Sequence, residues 1–214
     1  MSLVIAIDGP AAAGKGTLAR RLADHYGLAY LDSGSLYRGT ALSLLRQGAA
    51  SPDEATAASA AKGLPPELLA DPALRAEATG ALASKVAAIP AVRAALLDWQ
   101  RGFASHPPQG KKGAVLDGRD IGTVVLPSAK VKFFITASDE ARALRRFKEL
   151  QAKGETAIYA RVLEDMRERD ARDTARSTAP MRPAEDALII DTSALDADQV
   201  FSQAKDRIDQ IIRN

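Results

Sequence analysis

Gly9 and Gly14 bracket four residues, and Lys15 follows at once. Glycines at this spacing let a backbone curl tightly, and Pro10, Ala11, Ala12 and Ala13 between them carry little that would cover its N–H groups. Such donors wrap anionic oxygens, and a helix N-terminus adds partial positive charge. Lys15 then supplies a point charge for the outer phosphates of a nucleoside triphosphate. The chain reads Gly14-Lys15-Gly16-Thr17, whereas the usual motif sets Ser or Thr directly after the lysine. The hydroxyl comes one place late. Magnesium is therefore expected to be held largely by water and nucleotide oxygens, with Thr17 helping through water and no direct protein ligand assigned.

A second group of residues could neutralise transferred charge. Moving a phosphoryl group between two polyanions needs positioning and cations, commonly arginine and Mg²⁺. "RERDARDTAR" places Arg169, Arg172, Asp173 and Arg176 on one face of a helix. A solvated face of i,i+4 pairs such as Arg169–Asp173 is the plainer alternative, but a phosphate loop elsewhere in the chain favours anion clamping. Gly154 and Pro180 bracket the segment as hinges of a closing lid would. "VLDGRD", 115–120, ends a strand with Asp117, which either turns the chain or holds magnesium's water shell. Arg119 and Asp120 then enter the crevice where open α/β sheets bind ligands. In "LDSGSLYR", 31–38, Ser33 caps a helix or touches ligand, and Arg38 is solvated or binds.

These residues need elements to hold them. "LVIAID", 3–8, is an apolar strand, and 15–26 sets Leu18, Leu22 and Tyr26 on one helical face. Further strands are expected at 29–31, 114–117, 131–136 and 187–191, and helices at about 35–47, 138–153, 155–175 and 196–213. Residues 49–89 read as short helices and turns broken by prolines, and a longer helix is expected over 75–103, bent near Pro90. The order predicts an α/β fold: a five-stranded parallel sheet of phosphate-loop type, helices on both faces, with an acceptor-binding insert and a lid. One domain is expected, with its core at 1–48, 106–153 and 181–214, the insert at about 49–105 and the lid at about 154–180.

Composition removes several alternatives. The chain has 214 residues, 46% of them hydrophobic and 26% charged, enough for one ordinary core. A net charge of +2 with mixed signs gives little support for nucleic acid or membrane as partners. With no cysteine, thiolate and disulfide chemistry are excluded, and the two histidines, His25 and His106, lie far apart. No apolar run approaches the roughly 18 residues of a membrane span. "MSLVIAIDG" lacks a basic leader, so the cytoplasm is the expected location. The single asparagine, Asn214, rules out the Asn-Lys-x-Asp segment of GTP-binding switches, and a motor ATPase would need a longer chain. A small kinase remains.

The stretches "IAIDGPAAAGKGTLARRLA", "YLDSGSLYR", "LDGRDIGTVVLP", "RERDARDTARSTAP" and "ALIIDTS" together resemble the bacterial cytidylate kinases, a family of nucleoside monophosphate kinases. The resemblance runs from the first strand to the last, except over roughly 49–83. It implies transfer of the ATP γ-phosphate to CMP or dCMP with Mg²⁺, in pyrimidine nucleotide metabolism. It implies that Gly9, Pro10, Ala11, Ala12, Ala13, Gly14, Lys15, Gly16 and Thr17 bind ATP. Arg38, Arg119 and Arg176 would grip the acceptor phosphate, and Arg169 and Asp173 would lie near that phosphate and the ribose. Ser33, Ser84, Arg93 and Asp120 would read cytosine, Asp120 suiting the exocyclic amine and Arg93 and Ser84 the O2 and N3 acceptors. Ser84 and Arg93 come from "ASKVAAIPAVR", and as plain structure they would be a helix-surface pair. Lys15, Arg119, Arg169 and Arg176 would carry catalysis, with Thr17 and Asp117 reaching magnesium through water. Members commonly carry a strand-containing insert before the "ASxVA" helix, which here is shortened to the alanine- and proline-rich 49–75. A kinase for another monophosphate or small metabolite, and a non-catalytic ATP-binding switch, stand as alternatives. A monomer is expected.

Overall fold

The computed structural model describes residues 3–213. The chain runs β1 (Leu3–Asp8), α1 (Lys15–Tyr26), β2 (Ala29–Asp32), α2 (Ser33–Arg46), α3 (Glu54–Lys62), α4 (Glu77–Val86), α5 (Pro90–Ser105), β3 (Gly113–Gly118), β4 (Val131–Thr136), α6 (Asp139–Ala152), α7 (Tyr159–Ala175), β5 (Leu188–Asp191) and α8 (Ala197–Arg213). The five strands form one sheet in the order β2-β3-β1-β4-β5. β1 lies parallel to β3 and β4, and β4 to β5, as a sheet of β-α-β units requires. Asp8 of β1 stands level with Gly118 of β3 and Phe134 of β4, so these strands deliver their following loops to one edge.

The central strands are apolar because helices cover the sheet. Ile5, Ala6 and Ile7 of β1, and Ala114, Val115 and Leu116 of β3, are fully buried. Leu18 and Leu22 of α1 join Val200, Ala204 and Ile208 of α8 and Phe133 of β4 in one core cluster. Each of these side chains larger than alanine contributes about 1.5–3 kcal/mol on burial. Ser138 accepts a hydrogen bond from the Ala141 amide at 3.2 Å and so caps α6, as its position before an acidic first turn predicts.

The chain forms two compact units, one of residues up to Tyr30 together with Pro107 onward, the other Leu31–His106. In the second unit α2 packs on α3 and α4, and α3 on α5. The helix expected over 75–103 is two helices. Pro90 starts α5 as its first residue, and Ile89 before it is extended (φ −81°, ψ 117°), because proline disfavours helix in the residue preceding it. Residues 49–75 hold α3 and two single turns, Pro66–Ala70 and Pro72–Arg75, each opened by a proline. Helix α2 starts at Ser33, two residues earlier than expected, with Asp32 rather than Ser33 at its N-cap position. Among the described residues no single helix is long and apolar enough to cross a membrane.

Candidate active site

The loop after β1 has the strained backbone that anion wrapping needs. Gly9 has φ +138°, and a Cβ there would lie 2.0 Å from the Ile135 carbonyl oxygen, so only glycine fits. Ala12 also lies in the left-handed region at φ 56°, an uncommon conformation for alanine. Two side chains hold the loop's carbonyls. Arg142 donates to Ala11 O at 3.2 Å, and the Thr192 hydroxyl donates to Ala13 O at 2.9 Å. In a trans peptide the C=O and the next N–H point oppositely, so anchoring these carbonyls aims the amides of Ala12 and Gly14 the other way. Lys15 is buried and crosses the loop to donate to Pro10 O at 2.7 Å.

The late hydroxyl has a structural counterpart. A Cβ at Gly16 would lie 3.5 Å from Asp117 Oδ2, so the residue beside the carboxylate carries no side chain. Asp117 is buried at the end of β3 and takes a 3.3 Å hydrogen bond from the Tyr30 hydroxyl on its other oxygen. Thr17 instead lines a cavity of about 320 Å³ with Ala13, Gly14, Arg145, Thr192 and Leu195. Arg145 donates to the hydroxyl and carbonyl oxygen of Thr192 and so braces that wall.

At the end of β3 the chain passes through Arg119 and Asp120 into a single wide helical turn, Ile121–Val125. Arg119 Nε donates to Asp173 Oδ2 at 3.0 Å, and both side chains are largely buried. Arg176 Nε donates to the Asp173 carbonyl at 3.2 Å, where α7 ends. Asp173 therefore gathers Arg119 and Arg176, and Arg169 lies one turn earlier on α7, half-buried. The buried face of α7 runs through Val162, Met166 and Asp173, and Val162 and Met166 pack with Ala143 of α6 against Ala11 and Ala12 of the loop. Arg172 does not share that face. It is exposed and pairs with Glu168 at 3.8 Å, the i,i+4 pattern of a solvated surface.

Asp8, the last residue of β1, is 3% exposed. Its two oxygens accept from the Ile121 and Gly122 amides, each at 2.7 Å. Burial raises its pKa to about 6, with the Asp120 carboxylate adding to the rise, while the two backbone hydrogen bonds and Lys15 oppose it.

In the second unit Arg38 of α2 donates to Leu74 O at 2.8 Å. Gly80 of α4 makes room for it, since a Cβ there would lie 3.1 Å from both terminal guanidinium nitrogens. Arg93 is not a surface residue. It is 8% exposed, lies over the Tyr37 ring at 5.5 Å and donates to Ala87 O at 3.1 Å, just past the end of α4. Ser33 and Ser84 are buried as well, and the Ser84 hydroxyl has no hydrogen-bond partner among the described residues. A buried hydroxyl left so is costly unless something else completes it.

Sequence reasoning passed over Asp8, Arg142, Arg145 and Thr192. Asp8 carried a usable signal, as a charge ending an apolar strand immediately before the first glycine of the loop. Arg142 and Arg145 are two arginines in "ARALRR" and had none. No cluster of three or more His, Cys, Asp or Glu suited to a metal occurs among the described residues.

A parallel sheet whose first strand passes through such a loop into a lysine-headed helix defines an α/β phosphate-loop protein. The crystal structure of an uncharacterized protein from Eubacterium ventriosum shares the fold, with a TM-score of 0.53 at 15% identity over 97% of this chain and 98% of that one. The sequence profile of the family described as cytidylate kinase matches residues 5–210. A protein named cytidylate kinase from Paramagnetospirillum magneticum is 62% identical over 95% of this chain and 96% of its own length. One of the same name from Rhodospirillum rubrum is 56% identical over the same shares, 95% and 96%. The chain belongs to the cytidylate kinase family.

Proposed function

We propose that this protein transfers the γ-phosphoryl group of ATP to CMP or dCMP, giving CDP or dCDP. The observation that carries the reading is the phosphate loop with Arg119 and Arg176 gathered on Asp173, in a chain of this family. Loop amides and Lys15 bind the ATP phosphates, and the cavity beside Thr17 and Arg145 takes the donor nucleoside. Arg38, Arg119 and Arg176 grip the acceptor phosphate, and Arg169 and Asp173 orient phosphate and ribose. Asp120 accepts from the cytosine amine, Ser84 and Arg93 face its O2 and N3, and Ser33 completes the base contacts.

The reaction needs no general base, because a phosphate oxygen near neutral pH is already an anionic nucleophile. Arg119, Arg169 and Arg176 offset the charge that gathers as the phosphoryl group moves, and Lys15 follows the β–γ bridge. Closure of 154–180 as a lid excludes water and limits hydrolysis. The donor set fits magnesium only as an ion held mostly by water and nucleotide oxygens. Asp117, buried beside the bare Gly16, and Thr17 would hold its water shell, and the ion would supply charge neutralisation. A steady-state assay with ATP and CMP, dCMP, UMP, AMP or GMP tests the reading. Turnover is expected to be highest with CMP and dCMP. Preference for AMP, UMP or GMP, or no turnover with any of the five, would overturn it.

A further inference from the structure

We propose that Asp8 is a positioning residue for the acceptor nucleotide: its carboxylate holds the turn that carries Arg119 and Asp120. The inference rests on the CMP-kinase reading.

The first amides of any helical turn have no partner within it. In the turn after Asp120, the Val125 and Leu126 amides bond back to Asp120 O and Ile121 O, at 3.1 and 2.7 Å. The Ile121 and Gly122 amides have no carbonyl behind them to take, and both bond to Asp8 instead. These donors follow Arg119 and Asp120 directly in the chain. A two-point clamp on them fixes where Arg119 leaves β3 and where Asp120 sits. Asp8 itself precedes Gly9, so one buried side chain ties the start of the phosphate loop to the turn on the acceptor side.

Burying a carboxylate is costly, and an apolar residue would fit a strand end better. An ionised carboxylate offers a strong acceptor to each amide. In asparagine one of the two positions becomes a donor facing a donor, and in protonated aspartic acid the hydroxyl oxygen is a weaker acceptor than the carboxylate oxygen it replaces. The charged groups near Asp8 are Asp120, Lys15 and Lys132. Lys132 passes close to Gly122 but its ammonium is engaged by Pro127 O and Asp186, so it does not neutralise Asp8. Burial and Asp120 prevail, and Asp8 takes up a proton near pH 6. The clamp is strongest above that pH, and one of its two bonds weakens below it.

The test is Asp8→Asn, assayed with ATP and CMP from pH 5 to 8. At pH 8 the CMP KM is expected to rise about tenfold, the size of one opposed buried hydrogen bond, with the ATP KM within about twofold. The ratio of variant to wild-type CMP KM should fall towards one as pH drops through 6. The phosphate of CMP also titrates in this range, but identically for both proteins, so it cancels in the ratio. A folding defect alone gives no such convergence. Gly122→Ala supplies a second route should Asp8→Asn fail to fold. Its methyl would lie 3.3 Å from Asp8 Oδ2 and 3.2 Å from Lys132 Cδ, and it should raise the CMP KM while sparing the ATP KM. An unchanged CMP KM, an equal rise in both KM values, or a pH-independent ratio overturns the proposal. Absence of CMP turnover in the wild type would overturn the kinase reading first.

Discussion

Arg142 offers a quantitative test of how the phosphate loop is held. Its side chain is 4% exposed, and it donates to Ala137 O at 3.1 Å, Ala11 O at 3.2 Å, Asp139 at 2.6 Å and Asp170 at 2.5 Å. One guanidinium thus ties α6, α7 and the loop together. Arg142→Met keeps most of the stem volume and removes every donor. Stranding one partner of a buried ion pair costs about 3–5 kcal/mol. Asp139 is 41% exposed and keeps Arg167 at 2.9 Å, so its share of the loss is small, about 0–1 kcal/mol. Asp170 is only 16% exposed and loses the Arg142 guanidinium, and two carbonyls lose their donors. With Asp170 at the low end of the buried-pair range, about 3 kcal/mol, and about 0.5–1 kcal/mol for each carbonyl, the sum is about 4–6 kcal/mol, which lowers Tm by about 8–24 °C in a chain of this size. With Ala11 O released, the loop amides lose their fixed aim and the ATP KM rises severalfold, more than the CMP KM. Thermal denaturation and a coupled kinase assay read both effects. In Arg142→Met/Asp170→Asn the losses should be less than additive, because the stranded charge is gone. A Tm within 2 °C of wild type together with an unchanged ATP KM would refute the reasoning.

Two further outcomes follow from the site. Lys15→Ala should lower kcat by about 10²-fold or more, because the cation facing the transferred phosphate is removed, and should lower Tm by about 2–4 °C as Pro10 O loses its buried donor; turnover and melting curves check both. Asp173→Asn should raise the CMP KM with little change for ATP, since Arg119 loses its charged partner at 3.0 Å; a matched pair of KM titrations would show it.

Much of this was legible in the chain because the signals were local. Gly9, Gly14 and Lys15 announce the loop by spacing alone, and "LVIAID" and the 15–26 stripe supply its strand and helix. Other features depend on distant partners. Asp8 and Ile121–Gly122 are bonded across 113 and 114 positions, a relation no window along the chain can reveal. Arg142 differs from Arg145 and Arg146 only in which way α6 turns it. Periodicity alone put Arg172 with Arg169 and Arg176, but the packing of Val162 and Met166 rotates Arg172 to solvent. Ser84 and Arg93 are inside the second unit because α4 and α5 are separate helices, a break that Pro90 marks but does not measure.

A single-turnover reaction with γ-labelled ATP and CMP follows the phosphoryl group from donor to acceptor. Label is expected in the β-phosphate of CDP, with loss of that transfer in Lys15→Ala. Label appearing in inorganic phosphate, or remaining on ATP with CMP bound, would contradict it.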